Sequence, residues 1–256
     1  MAGRMKRLSG LVFLIVFSGL SFCLFGQFTL EDIKPASKDR LKELDHGCLA
    51  IGYDSIHKQA VWVIHLLTGE NLRAKTVKRS DKFRKDPLLK SDYALTSDYT
   101  NSGYDRGHLC PSDDMCWSEQ SMQTTFYMSN ISPQSPGLNR GLWKQLENRV
   151  RKWAVDNDSL IVVTGTALDS LLGHVGKNKV SVPSKFYKIV VDISHPTRKM
   201  AAFVMENRPL EGQFWEYSCS VDEIERMTGL NFFPAYEEDE RIRNLESSCD
   251  LDLWEE

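Results

Sequence analysis

The chain has 256 residues, of which 41% are hydrophobic and 26% are charged, and its formal net charge is −3. This length excludes more than about two domains, and the composition is ordinary for a soluble globular protein. A negative net charge, taken alone, argues against a polyanion such as a nucleic acid as the partner.

The distribution of the charges reverses that last conclusion. Residues 73–90 contain eight Lys or Arg against two Asp, whereas residues 236–256 contain nine acidic residues against two Arg. A local basic stretch indicates the partner better than the net charge does. Either run by itself is also typical of a solvated surface.

The N-terminus has the pattern of a secretory signal peptide. Three basic residues precede the apolar run Leu11–Gly26, and small residues lie near the end of that run. Because the run approaches the shortest length that spans a bilayer, an uncleaved membrane anchor is the alternative. We predict a cleaved leader at 1–26, and hence a periplasmic or secreted protein without stable membrane association. A mitochondrial address is a further alternative, but the leader lacks the amphipathic, Ser- and Arg-rich pattern of a transit peptide.

The rest of the chain, 27–256, predicts one domain, because no repeat or long flexible linker divides it. Its core is expected over about 48–235, followed by the acidic segment 236–256. The first strands are predicted at 48–53 and 60–67, where apolar and β-branched residues cluster.

The elements that follow are helices and further strands. Helices are predicted at 118–125 with Ser118 as the cap, from near Asn139 to 157, and at 220–230. Strands are predicted at 159–168, 185–193 and 200–206. This order predicts an α+β domain with a mainly antiparallel central sheet flanked by helices. The polar stretch 68–140 is too long for a plain connection, and long loops tend to carry function.

Removal of the leader leaves five cysteines, and an exported protein can keep disulfides. Cys219 with Cys249 is the preferred pair, and Cys110 with Cys116 is a second, so one thiol stays unassigned. A zinc site of His108, Cys110 and Cys116 is the rival interpretation, although it lacks paired Cys-x-x-Cys spacing.

One stretch within the polar region, Tyr104–Met115, has the composition of a catalytic site. Hydrolysis of a phosphodiester requires a base that activates water and positive charge that stabilises the transition state. The ordinary pKa of His108 suits the base, and Arg106 offers a planar fork for phosphate oxygens. Gly107 between them permits a close approach of backbone or substrate.

The residues Tyr104–His108 resemble the signature of the DNA/RNA non-specific endonucleases, the family of endonuclease G and of the Serratia-type secreted nuclease. The similarity continues, in order, through Phe126–Gln134, Leu138–Asn139 and Glu147, and it reaches upstream to Arg79–Arg84. The resemblance implies a ββα-metal, or His-Me finger, site and Mg²⁺-dependent cleavage of DNA and RNA to 5′-phosphate products. Mn²⁺ or another divalent cation is the alternative to Mg²⁺, and a homodimer is allowed.

The resemblance also implies a role for each matching residue. His108 corresponds to the general base, Asn139 to the direct protein ligand of a single Mg²⁺, and Glu147 to the residue that orients the metal's waters. The remaining roles are phosphate contact by Arg106 and Arg79, with Arg84 competing for the latter, stabilisation of the leaving side by Arg151, and support of His108 or the substrate by Asn130.

Each of these residues has an ordinary structural explanation as well. Asn139 stands where a helix-capping residue is expected, Glu147 and Arg151 have the spacing of an i,i+4 pair, and Asn130 suits a turn. Other histidines, His65 among them, lack a catalytic context. Asp113 and Asp114 are expected to be loop residues, with a place near the outer shell of the metal as the alternative. The joint spacing of the set favours the functional interpretation.

Two other functions stay open on the sequence. A phosphodiesterase narrowed to another substrate fits the motif, but the basic stretch favours an extended polyanion. A nucleic-acid-binding module without catalysis needs neither a general base nor a metal ligand. The presence of His108 and Asn139 together therefore argues against it.

Overall fold

The structure is a computed structural model that describes residues 33–37, 41–74, 76–192 and 198–254. The predicted leader lies outside these residues. Within the described ranges, no helix combines the length and the apolar character that a membrane crossing requires.

A seven-stranded, wholly antiparallel sheet forms the centre of the molecule. The strands of this sheet are β2 (Lys42–Asp45), β3 (Leu49–Asp54), β4 (Gln59–Thr68), β7 (Ser159–Val175), β8 (Val180–Asp192), β9 (Lys199–Glu206) and β10 (Ser218–Cys219). Their order, from one edge to the other, is β10-β9-β8-β7-β4-β3-β2. Two small antiparallel pairs lie beside it: β1 (Ala36–Ser37) with β11 (Leu230–Asn231), and β5 (Asp105–His108) with β6 (Ile131–Gln134).

Helices cover both faces of the sheet, because alternate residues of its strands are apolar on each side. The helices are α1 (Gly69–Ala74), α2 (Glu119–Thr125), α3 (Pro136–Asn139), α4 (Leu142–Asp156), α5 (Val221–Thr228) and α6 (Glu240–Ser247). The apolar stripe of α4 packs into one core cluster, and residues of α5 and α6 pack into the other. The predicted α+β fold with a mainly antiparallel sheet is therefore confirmed.

Local signals predicted several boundaries well. The hydroxyl of Ser118 accepts a hydrogen bond from the N–H of Ser121 and so caps α2, as predicted. A capping box between Ser220 and Glu223 starts α5, and Gly229 ends it in the left-handed conformation. Short side chains that satisfy the free N–H groups of a first helical turn act locally, so sequence reveals them.

The predicted long helix is present, but the chain is interrupted at its expected start near Asn139. Asn139 is the last residue of α3, and α4 begins only at Leu142. A Cβ on Gly141 would overlap the carbonyl oxygen of Gly137, so the break depends on a residue without a side chain. Asn139 is consequently not the N-cap of the long helix.

Strands β7 and β8 extend well beyond their predicted ends. They continue as a hairpin to Val175 and Val180, where the prediction stopped β7 at 168 and began β8 at 185. Register shifts between Ala167 and Gly173 interrupt the pairing of this outer part, which explains why its sequence pattern is irregular.

The five cysteines in the described part of the chain form no disulfide with one another, so neither predicted pair is present. Cys110 is fully buried in the main core cluster. The thiol of Cys116 donates instead to the carbonyl oxygen of Asp113 at 3.3 Å. Within the described residues, no group of three His, Cys, Asp or Glu side chains is arranged to hold a metal ion, which leaves the zinc interpretation without support.

Candidate active site

A cavity of about 280 Å³ opens where the β5–β6 pair meets the start of α4. Six of the eight residues predicted for the site line this cavity: Arg79, Arg106, His108, Asn139, Glu147 and Arg151. Arg140 and Lys144 also line it, so five Arg or Lys side chains stand against two carboxylates, those of Asp113 and Glu147. The cavity therefore attracts anions.

His108 ends strand β5 and is 9% exposed. Its ring packs edge-on against Phe126 at 5.0 Å and lies 5.5 Å from Phe83. Burial, followed by the positive charge of Arg79, lowers the pKa of His108 to about 3. The imidazole is therefore neutral, with a free lone pair, throughout the neutral pH range.

Two neighbours hold the backbone on either side of His108. A Cβ on Gly107 would lie 2.6 Å from the Cβ of Gln134 on β6, so only glycine permits this close pairing of the strands. The buried side chain of Asn130 accepts from the N–H of Cys110 and donates to the carbonyl oxygens of Cys110 and Thr125, each at 2.9 Å. Asn130 thus lies behind His108 rather than in the cavity.

Arg106 is held between aromatic rings on strand β5. Its guanidinium carbon lies 5.6 Å from the ring of Phe83 and 5.9 Å from that of Tyr99, and one terminal nitrogen donates to the carbonyl oxygen of Thr96 at 2.9 Å. The Nε of Arg106 is buried and has no hydrogen-bond partner among the described residues. A charged donor left unpaired beside a cavity favours an anionic ligand.

The two upstream arginines differ in their positions. Arg79 donates to the hydroxyl of Ser112 at 2.8 Å and to Asp81 at 2.7 Å, and its side chain lines the cavity. Arg84 lies 5.0 Å from the ring of Tyr127 and donates to Gln123 at 2.9 Å, outside the residues that line the cavity. The structure therefore favours Arg79 over Arg84 as the residue that can reach a ligand there.

The side chain of Asn139 is oriented by Asp105, the first residue of β5. Asn139 Nδ2 donates to Asp105 Oδ2 at 2.9 Å, and Arg140 holds the same carboxylate through Nε at 2.8 Å and a terminal nitrogen. Burial acts to raise the pKa of Asp105, but the hydrogen bonds from Arg140 and Asn139 lower it below its ordinary value. With its nitrogen bound to Asp105, the amide directs Oδ1 away from that carboxylate.

Glu147 lies on the first turns of α4, above a buried lysine. Burial raises the pKa of Glu147 to about 7, although the positive charge of Lys188 opposes this effect. Lys188 on β8 is 1% exposed; its ammonium donates to Thr164 at 2.5 Å and lies 5.2 Å from the ring of Trp143. A buried ammonium close to a carboxylate favours the ionised form of that carboxylate.

Arg151 forms its ion pair with Asp114 rather than with Glu147 one turn earlier. The distance from Arg151 to Asp114 Oδ1 is 2.8 Å, and the other oxygen of Asp114 lies 3.2 Å from His65 Nε2. Asp114 and His65 are both buried, so this network holds the arginine at the edge of the cavity. Asp114 lies in the short turn Ser112–Asp114 after His108, as expected of a loop residue, and it supports the site through Arg151.

The resemblance implies a divalent cation, and the donors of the cavity fit one that keeps most of its waters. A single carboxamide oxygen, Asn139 Oδ1, is directed away from its protein partner, and the carboxylate of Glu147 lines the same cavity. Mg²⁺ is commonly held by one or two protein oxygens and several waters. The residues present therefore suit Mg²⁺ better than a metal that requires several nitrogen or sulfur ligands.

Sequence reasoning did not include Asp105 and Lys188 among the site residues. Asp105 begins the signature itself, so its position in the motif was an available signal. Lys188 lies within the apolar run 185–193, where a lysine is unusual for a central strand. The role of Lys188 depends on the packing of β8 beneath α4, which places its ammonium near Trp143 and Glu147.

Comparison with known proteins identifies the family. The family model "DNA/RNA non-specific endonuclease" matches residues 33–239. Human mitochondrial endonuclease G is 33% identical over 196 residues, 71% of this chain and 66% of that protein. Mitochondrial nuclease EXOG of Danio rerio is 33% identical over 218 residues, 79% of this chain and 62% of that protein. The chain thus spans less than two thirds of the length of these two relatives.

The fold agrees with the sequence comparison. A chain in the crystal structure of the EndoG/EndoGI complex superposes with a TM-score of 0.72 at 28% identity, over 79% of this chain and 90% of that one. Nuclease C1 of Cunninghamella echinulata var. echinulata is 31% identical over 212 residues, 74% of this chain and 82% of that protein. The similarity therefore includes nucleases that are not named as mitochondrial.

Proposed function

This chain belongs to the DNA/RNA non-specific endonuclease family, and we propose that it hydrolyses phosphodiester bonds of DNA and RNA with the help of Mg²⁺. The observation that carries the proposal is the set of groups around His108. Its neutral, buried imidazole lines one positively charged cavity together with an arginine guanidinium, a carboxamide and a carboxylate. These are the groups that hydrolysis of a phosphodiester requires.

In this mechanism His108 accepts a proton from the attacking water. A base must be unprotonated before it can act, and the lowered pKa of His108 keeps it so at neutral pH. The rings of Phe83 and Phe126 restrict the imidazole, which keeps its lone pair in a constant direction. Asn130 acts on His108 indirectly, by clamping the backbone at Cys110.

The other residues bind and orient. Asn139 and Glu147 would hold the hydrated Mg²⁺, which, when bound, supplies positive charge at the transition state and lowers the pKa of water. Arg106 and Arg79 contact the phosphate oxygens on one side, and Arg151 contacts them on the leaving side. The bond from phosphorus to the 3′ oxygen then breaks, the 3′ oxygen takes a proton from water, and the phosphate stays on the 5′ carbon of the next nucleotide.

The side chains that line the cavity suit a phosphate backbone and carry no group dedicated to one base. Arginine and lysine dominate the lining, and contacts to the backbone position a nucleic acid without reading its sequence. We propose that cleavage is largely independent of sequence and of the sugar, and that a nucleic acid of either kind is the substrate.

Digestion of supercoiled plasmid and of ribosomal RNA tests the proposal directly. We expect both polymers to be cut with Mg²⁺ and neither to be cut with EDTA, because the ion supplies charge stabilisation that the protein alone lacks. Restoration of cutting after excess Mg²⁺ is added to the EDTA sample is the control for irreversible damage. Cutting that persists in EDTA contradicts the metal requirement, and folded protein that cuts neither polymer contradicts the nuclease activity.

We also propose that the protein is exported and that the leader is removed near Gly26–Gln27. The support is the basic start followed by the apolar run Leu11–Gly26. N-terminal sequencing of the protein from culture medium or periplasm should begin close to residue 27. Recovery of the whole activity in membranes, with the leader retained, contradicts export of a free enzyme.

A further inference from the structure

The outer end of the β7–β8 hairpin packs against the motif that carries Arg106. Val175, Val180 and Val182 from this hairpin form an apolar cluster with Tyr99 and with Ile131 of β6. Ile131 pairs with His108, so the cluster lies directly beneath the strand that supplies the site. The extra length of the two strands, unforeseen in the sequence, thus ends at the active site.

The turn of this hairpin makes two hydrogen bonds to a buried carboxylate. The backbone N–H of Asn178 donates to Asp98 Oδ1 at 3.1 Å, and its side-chain amide donates to Asp98 Oδ2 at 2.9 Å. Asp98 is only 2% exposed. Gly176 has φ +66°, and a Cβ there would overlap the Cα and Cβ of Asp98, so hairpin and carboxylate are in close contact.

Asp98 in turn fixes the short 3₁₀ turn that holds Arg106. Its Oδ2 accepts from the N–H of Leu95 at 2.7 Å at the start of the turn Thr96–Tyr99. This turn contacts Arg106 at two points. The guanidinium donates to the carbonyl oxygen of Thr96 at 2.9 Å and lies over the ring of Tyr99. A shift of Asp98 would therefore move the carbonyl group and the ring that hold the guanidinium of Arg106.

The charge state of Asp98 agrees with this arrangement. Burial acts to raise its pKa, but the Asn178 side chain and the backbone N–H groups of Leu95 and Asn178 lower the pKa below its ordinary value. Asp98 is consequently ionised at neutral pH, and charge-assisted hydrogen bonds of this kind are the stronger ones. Three hydrogen bonds to one buried carboxylate therefore join the hairpin to the turn.

We infer that Asn178, at the tip of the β7–β8 hairpin, is a positioning residue that acts through Asp98 to hold the Arg106 guanidinium against the substrate phosphate. Asn178 lines none of the cavity itself, so its effect reaches the substrate only through the turn. The inference rests on the proposed nuclease function, since it assigns Arg106 a phosphate as ligand. A displaced guanidinium weakens phosphate binding, and so raises KM and Kd more than it lowers kcat.

The test compares Asn178→Ala with the isosteric Asp98→Asn and with the conservative Asn178→Gln. Asn178→Ala removes the side-chain donor, Asp98→Asn replaces one of the two acceptor oxygens by a donor, and Asn178→Gln keeps the amide. Asn231→Ala is the matched control. It also removes a hydrogen bond from a side-chain amide to a carboxylate, that of Glu237 at 2.6 Å, but at a position outside the cavity.

Steady-state cleavage of plasmid DNA should show KM raised roughly tenfold in Asn178→Ala and in Asp98→Asn, with kcat changed less than about threefold, because misplacement of a binding group by about 1 Å has effects of this order or larger. Asn178→Gln should recover part of the loss seen in Asn178→Ala, and Asn231→Ala should behave as wild type. Thermal unfolding checks that every variant is folded, and Asp98→Asn serves if Asn178→Ala is not.

Binding separates the failure of this inference from the failure of the proposed function. In a His108→Ala background with EDTA, fluorescence anisotropy of a labelled oligonucleotide reports affinity without cleavage. Kd raised in Asn178→Ala and in Asp98→Asn, and lower in Asn178→Gln than in Asn178→Ala, supports the positioning role. Kd unchanged by Asn178→Ala, or raised equally by Asn231→Ala, overturns it, whereas full activity of His108→Ala overturns the proposed mechanism instead.

Discussion

Replacement of His108 by alanine is expected to lower kcat for plasmid and RNA cleavage by roughly 10²–10⁴-fold, the usual contribution of a general base. The physical reason is that His108 carries the only imidazole among the residues that line the cavity, and this imidazole is neutral at working pH and so able to accept the proton of water. Affinity for DNA in EDTA should stay within about twofold of wild type, because the phosphate contacts belong to arginines. Single-turnover cleavage and fluorescence anisotropy measure the two quantities.

The matched control for that variant is His57→Ala. His57 also carries a hydrogen-bonded imidazole, 2.9 Å from Ser181 Oγ, but it lies outside the cavity. It should retain full activity. Free imidazole added to His108→Ala should restore part of kcat, since the alanine leaves space between Phe83 and Phe126. Retention of more than about a tenth of kcat in His108→Ala contradicts the role of general base.

Mg²⁺ should bind more weakly as the pH falls below about 7, the pKa of Glu147 in the metal-free protein. Below this pKa the carboxyl holds a proton that must leave before the group can face a cation. Linkage of one proton makes the binding constant roughly tenfold lower at pH 6 than on the plateau above pH 8. Titration calorimetry with Mg²⁺ alone at several pH values measures this dependence.

In Glu147→Gln the binding constant should be low and nearly independent of pH, because glutamine has no proton to release. The stability of the metal-free protein gives an independent check on the sign. The folded pKa of Glu147 is raised above its ordinary 4.5, so ionisation of this group destabilises the fold as the pH rises from about 4.5 through 7. Glu147→Gln should lose that component. A binding constant that still changes with pH in Glu147→Gln contradicts the assignment.

Local sequence patterns predicted the elements whose causes are local. Apolar runs located the central strands, and the hydroxyl caps of Ser118 and Ser220 located two helix starts, because side chains there satisfy backbone groups within three residues. The same reasoning failed at Asn139, where an asparagine before an apolar stripe resembles a cap. There the partner of the side chain, Asp105, lies 34 residues earlier in the chain.

Motif spacing predicted which residues meet, but not what holds them. Six of the eight predicted residues line one cavity, whereas Asn130 lies behind it and Arg84 rests on Tyr127. The motifs predict which residues share the site because several of them match the family in the same order along the chain. The supports of the site, such as Asp114 beneath Arg151, come from segments whose own composition suggests only a loop.

The sequence by itself determined the α+β class, the residue types of the catalytic motif and the family, since each depends on local periodicity or on ordered motifs. Only the tertiary structure decided the charge states of His108 and Glu147, because these depend on burial and on neighbours distant in the chain. It also decided that Asn178 reaches Asp98, a contact across 80 residues. Hydrogen bonds and desolvation act through space, and a linear pattern records them only where the chain folds back within a few residues.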